Sequence, residues 1–321
     1  MRISGRLRSF WSLLKDTFNQ WNEREPFNNS IIIAYYTIFS LPGLLVIIIN
    51  VAGYFYDKQE VTRQLTGQIE AMVGGDTASD VQSIVDKASQ NKGTVIASIL
   101  GVATMLFGAT GVFYQLQQIL NKMWEVKPKP KQKFLKLIRD RVFSFGLILV
   151  VGFLLLVSLV ISAGLSAFGA WASGYIPDSL QVLFRVLDFM VSLAVVTLLF
   201  ASIYKFLPDA KISWRDVWIG ALMTSVLFVI AKFALGLYFG KSDPGSTYGA
   251  AGSIILIMLW VSYAGIILLF GAEFTQVFAN RYGKKVQPSE AAVSTRGETD
   301  NGAIVNKKTE KHTKMNHGSR T

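Results

Sequence analysis

The chain alternates long apolar runs with short charged connections. A helix rises about 1.5 Å per residue, so about 20 apolar residues cross a hydrocarbon core. Six runs reach that length, near residues 30–53, 94–116, 142–170, 181–204, 216–240 and 249–274. Their continuity predicts helices; a barrel would show roughly ten-residue alternating segments. The expected fold is all-α, a polytopic membrane bundle of six transmembrane helices over residues 30–282. Ahead of it, residues 1–29 place Leu7, Trp11, Leu14, Phe18 and Trp21 on one stripe beside Arg6, Arg8 and Lys15, which predicts an amphipathic helix lying along the membrane surface. That segment has no small-residue cleavage site, so the first run is expected to be a retained anchor.

Between the first two runs, Val61, Leu65 and Ile69, then Val81, Ile84, Val85 and Ala88, predict two short amphipathic helices separated by Gly74-Gly75, with Thr77 and Asp80 as a capping box. Such helices either cap an outer mouth or pack over helix ends. From residue 283 to 321 the apolar period stops, and a disordered basic tail is expected.

Composition agrees with lipid as the solvent: 51% of residues are hydrophobic and mean hydropathy is +0.38. The net charge of +11 is unevenly placed. The N-terminal segment, the 117–141 and 205–215 connections and the tail hold 25 Lys and Arg, against 5 in the remaining connections. By the positive-inside rule both termini are cytoplasmic. No cysteine is present, and the two histidines, His312 and His317, lie in the tail. The body therefore has no thiol or imidazole for nucleophilic, base or metal chemistry.

The segments AYYTIFSLPGLL (34–45), LNKMWEVKPK (120–129), FLPDAKISWRDVWIGAL (206–222) and YGAAGSIILIMLWVSYAGIILLFGAEF (248–274) occur in this order. Together they make residues 10–283 resemble the YihY/BrkB family of bacterial inner-membrane proteins. The resemblance implies a multi-pass helical protein of the inner (plasma) membrane, from a family described as virulence factors or transporters whose activity is unsettled. Members have also carried the label ribonuclease BN, but the resemblance supplies no catalytic residue.

Charges at membrane depth are costly and become candidates for function. Arg185 and Asp188 stand three apart near the start of the fourth run, and Lys232 lies about 12 Å inside the fifth from the same face. They form either a cluster lining an outward-facing polar cavity or a structural ion pair with a lysine snorkelling outward. Pro42 and Gly43 interrupt the first run, where a lost amide donor predicts a kink and freed backbone groups can face a solute. Glu273 ends 24 uncharged residues and reaches the cytoplasmic interface, so an anchoring or gating salt bridge to Lys205, Lys211 or Arg215 is expected. Gly101, Gly108, Gly111, Gly236, Gly240, Gly249 and Gly252 permit close helix approach. The basic 121–141 connection fits anionic lipid headgroups. RNA could contact the same charges, but without histidine, cysteine or a carboxylate metal motif a nuclease is not expected. No catalytic, cofactor or metal site is expected. The function read from the sequence is movement of an unidentified small or amphiphilic solute through an inter-helix cavity, with a lipid- or partner-binding envelope scaffold as the rival.

Overall fold

The computed structural model describes residues 2–55, 57–73, 75–89, 95–129, 178–242, 252–290 and 292–295, with 146, 150 and 154 as isolated positions. The order is α1 (Arg2–Glu23), α2 (Pro26–Phe55), α3 (Lys58–Val73), α4 (Gly75–Ser89), α5 (Val95–Met123), β1 (Val126–Pro128), α6 (Asp178–Phe206), β2 (Ala210–Lys211), α7 (Trp214–Ser242), α8 (Gly252–Tyr282), β3 (Gln287–Pro288) and β4 (Ala292–Ser294). Among the described residues four stretches are long and apolar enough to cross a membrane: Pro26–Asn50, Val186–Phe206, Trp214–Tyr238 and Gly252–Tyr282. They meet the first, fourth, fifth and sixth expected spans. The second falls within α5, and the third, 142–170, lies outside the described residues apart from three isolated positions.

Helix α8 is central, packing on α1, α2 and α7; α2 also packs on α5, and α6 on α7. The larger buried cluster lies at one end. In α6 no described residue before Thr197 is buried, in α7 none after Ser225, and in α8 most buried residues follow Gly265. Trp124, Tyr204, Leu120, Met123, Leu269 and Val217 are fully buried there. That end gathers the N-terminal corner, the exit of α5, the α6–α7 connection and the exit of α8. These are the connections whose Lys and Arg dominate the charge count.

Two close approaches set the spacing of α7 against α8. A Cβ on Gly220 would stand 2.8 Å from the Thr275 Cβ, and one on Gly271 would stand 2.8 Å from the Thr224 Cβ. Both threonines donate to carbonyls one turn back, Thr224 Oγ1 to Gly220 and Thr275 Oγ1 to Gly271, each at 2.7 Å. The pattern Gly-Ala-x-x-Thr thus occurs once on each helix and the two copies face each other.

The expectation of disorder from residue 283 is corrected for its first part. The chain turns back after α8, β3 pairs antiparallel with β2, and β4 pairs antiparallel with β1. The strap ties the exit of α5 to the α6–α7 connection, with Ser289 N donating to Asp209 O (2.9 Å) and Thr295 N to Glu125 O (2.8 Å). Its alternating small and β-branched residues are too few to signal strands by period; tertiary pairing makes them. Residues 296–321 lie outside the described set.

The two expected amphipathic helices are α3 and α4, and they pack over helix ends: Val81 is buried with Leu45 and Val46. Thr77 and Asp80 fall inside α4, which begins at Gly75, so they are not its capping box. The cap formed is on α3, where Asp57 Oδ1 accepts from the amides of Gln59 (2.9 Å) and Glu60 (3.0 Å). The Glu60 carboxyl is held below its usual range by hydrogen bonds from Gln64 and Arg63.

Helix α1 packs on the bundle through a face beside the stripe expected to meet the membrane surface, and the two faces share Trp21. Leu13 (2% exposed) packs with Phe274 and Val277 of α8, and Thr17 and Trp21 continue that face. Trp11 (71%) and Phe18 (55%) of the expected stripe point away from the bundle. Polar contacts fix this roll: Arg281 stands 3.2 Å from Asp16, and Ser9 Oγ lies 2.6 Å from the Tyr282 hydroxyl.

Candidate functional site at the basic end of the bundle

Pro26 opens α2 at a position where a helix needs no amide donor. The preceding Glu25 turns the chain with φ of 54°, and Asn29 Nδ2 donates to the Arg24 carbonyl at 2.7 Å. This corner aims Arg24 into the junction of α2, α5 and α8. Its Nη1 donates to Lys122 O (2.9 Å) and its Nη2 to Glu125 Oε1 (2.9 Å), with Gln276 Oε1 at 3.4 Å. Its Nε stands 3.1 Å from Glu273 Oε2.

Glu273 is fully buried. Neither of its oxygens accepts a hydrogen bond among the described residues, so the Arg24 contact is an ion pair lying off the N–H direction. One guanidinium therefore serves two carboxylates, one fully buried and one half-buried. Glu125 reaches it by taking φ of 56° just after α5, a left-handed conformation that costs a non-glycine residue about 1–3 kcal/mol. Lys122 Nζ lies 3.8 Å from Glu25 Oε2 and closes the outer side of the cluster.

Around this hub the same end is knitted by other polar pairs. Asn121 and Asp209 bond reciprocally, Nδ2 to Oδ2 and backbone N to Oδ1, both at 2.8 Å. Trp124 Nε1 donates to Ala272 O at 3.1 Å, and the Tyr204 hydroxyl donates to Leu268 O at 2.7 Å. Among the described residues the arrangement links α1, α2, α5, α6 and α8 at this side by hydrogen bonds and charge. Chemically it can hold or release helix ends; among the described residues it pairs no nucleophile with a base.

The residues singled out from the sequence are only partly brought together. Glu273 forms a salt bridge, but to Arg24. Lys205 instead donates to the Ile212 carbonyl and stands 5.3 Å over the Trp214 ring; Arg215 is exposed; Lys211 lies 3.4 Å from Glu290. Asp188 is half-buried on α6 and Lys232 is exposed on the neighbouring α7, while the Arg185 side chain lies outside the described ones. Helix α2 runs unbroken through Pro42, with Gly43 buried; two residues earlier the Ser40 hydroxyl donates to the Gly108 carbonyl of α5. Arg24 was missed because it reads as one more topology charge. The available signal was its position two residues before a span-opening proline, at the membrane level that Glu273 reaches from the other direction.

Residues 17–295 match the family model described as Virulence factor BrkB. The chain belongs to the BrkB family. The match ends at Thr295, the last strap residue bonded to the exit of α5, so the BrkB unit includes the strap. Among relatives, the ribonuclease-like protein YfkH of Bacillus subtilis (strain 168) is 24% identical over 273 residues, covering 84% of this chain and 96% of that protein. A UPF0761 membrane protein of Pseudoalteromonas atlantica is 27% identical over 258 residues, 76% of this chain and 78% of the relative. One from Verminephrobacter eiseniae is 30% identical over 182 residues, 55% of this chain and only 40% of the relative. No solved structure matches the chain. BrkB relatives thus agree with the helices on a membrane protein with several apolar spans.

Proposed function

We propose that this BrkB-family protein moves a small or amphiphilic solute through a cavity between its helices, closed at the basic end by the Arg24 network and opening toward the opposite end. It does so in a bacterial inner membrane, as a six-span protein with cytoplasmic termini. The observation that carries the reading is the burial asymmetry: among the described residues α6 and α7 bury theirs only in the basic half and α8 most of its own, while in the other half Asp188 is half-buried and Lys232 exposed. A solute path that alternates between sides needs one closed end and one accessible end. Asp188 and Lys232 place opposite charges on adjacent helices in the accessible half, where either can meet a polar solute.

Flux into proteoliposomes across a broad solute panel tests it. The unchanged protein should accumulate a solute, and Asp188→Asn or Lys232→Gln should cut that flux at least tenfold with the fold retained. The exposed aromatic face of α1 favours the rival scaffold reading, in which the basic end holds lipids or partners without transport. Absence of flux for every solute would select it.

A further inference from the structure

Two surfaces at the basic end repeat one pattern. On α1, Trp11, Lys15 and Phe18 share a face directed away from the bundle, with both aromatics more than half exposed. On α7, Trp214 and Trp218 lie one turn apart and exposed, with the exposed Arg215 between them. The two surfaces adjoin, since Leu13 and Leu14 of α1 pack in one cluster with Ile219 and Met223 of α7. Trp214 is also the first residue of the span Trp214–Tyr238, so this pattern sits where an apolar helix begins.

We propose that the α1 face and the start of α7 form a seat for anionic phospholipid headgroups, selective over zwitterionic ones. Indole rings at a span boundary favour the level between acyl chains and headgroups. The cations beside them then meet headgroup phosphates, at about 1 kcal/mol of attraction per near-surface charge to an anionic leaflet. A soluble protein or an RNA would satisfy the cations but would leave the lipid-level aromatics outside its contact. The cation nearest the corner is already turned to this geometry: Lys205 lies over the Trp214 ring, and Phe206 packs edge-on to the same ring with centroids 5.7 Å apart. The seat depends on no transport step, so it stands or falls apart from the proposed function.

The test is headgroup retention by the purified full-length protein from mixed phosphatidylglycerol and phosphatidylcholine, read by native mass spectrometry. The unchanged protein should retain phosphatidylglycerol preferentially. Lys15→Gln with Arg215→Gln should lower that preference about thirtyfold, about fivefold per cation, while Lys58→Gln with Arg63→Gln at the far end should leave it unchanged. An equal fall in both pairs, or none in the first, overturns the seat. A second readout does not depend on the variants folding equally well. The chain has no cysteine, so Phe18→Cys carrying an environment-sensitive probe reports this face alone. Its emission should shift to the blue in phosphatidylglycerol vesicles beyond that in phosphatidylcholine, and equal emission in both overturns the proposal.

Discussion

At the scale of single residues, the Arg24–Glu273 pair decides most. A buried ion pair adds little against well-packed apolar residues, but removing one partner leaves an uncompensated charge, at a cost of about 3–5 kcal/mol. Arg24→Gln should therefore lower unfolding stability by about that amount, whereas Arg24→Leu combined with Glu273→Leu should recover most of it. Unfolding in mixed micelles checks both, and a double change as damaging as the single one would mean that Glu125 and Gln276 depend on the guanidinium more than Glu273 does. Sequence reading placed Glu273 at the membrane edge and expected a salt bridge there. It chose the wrong cation because nearness along neighbouring connections favoured Lys205 and Arg215. The turn at Glu25 that swings Arg24 inward involves a non-glycine residue in a left-handed conformation, which composition does not announce.

At the scale of elements, spans were legible because length and continuous apolarity are local properties; contacts between spans were not. Glycines were expected to mark close approach, and Gly108 and Gly111 do meet α2 through Phe39 and Ser40. The tightest approach uses Gly220 and Gly271, which gain meaning only when α7 and α8 lie side by side with each threonine over the other helix's glycine. Gly271→Ala would drive a methyl into Thr224 and the Tyr204 hydroxyl, 2.5 Å from the added Cβ. Overpacking of this kind costs about 1–3 kcal/mol. Gly271→Ala should lose that much stability and regain part of it with Thr224→Ala, which removes the hydroxyl that the added Cβ would meet first. Failure of the second change to help would locate the strain at Tyr204. Gly236 is the useful contrast, because a Cβ there would meet nothing within 4 Å, so Gly236→Ala should be silent in the same assay. The strap was hidden for a related reason: strands of two or three residues are made by their partners, and those partners lie more than 70 residues away.

At the scale of the whole molecule, the described parts of the four connections grouped by charge share one end, so charge and packing there describe the same polarity. A transporter built this way must separate α5 from α8 at that end to pass solute, because Trp124, Glu125 and Arg24 bridge the two. The strap opposes that separation, since β4 follows α8 and pairs with β1 at the exit of α5, Lys127 opposite Val293. A disulfide between Lys127→Cys and Val293→Cys, in a chain with no other cysteine, locks the strap without touching Asp188 or Lys232. Oxidation should stop flux and reduction should restore it, while solute binding from the opposite side persists in both states. Flux that continues with the disulfide fully formed would show that the basic end does not open. The Arg24 network would then be an anchor of the helix ends, and the solute path would have to leave the bundle sideways between spans.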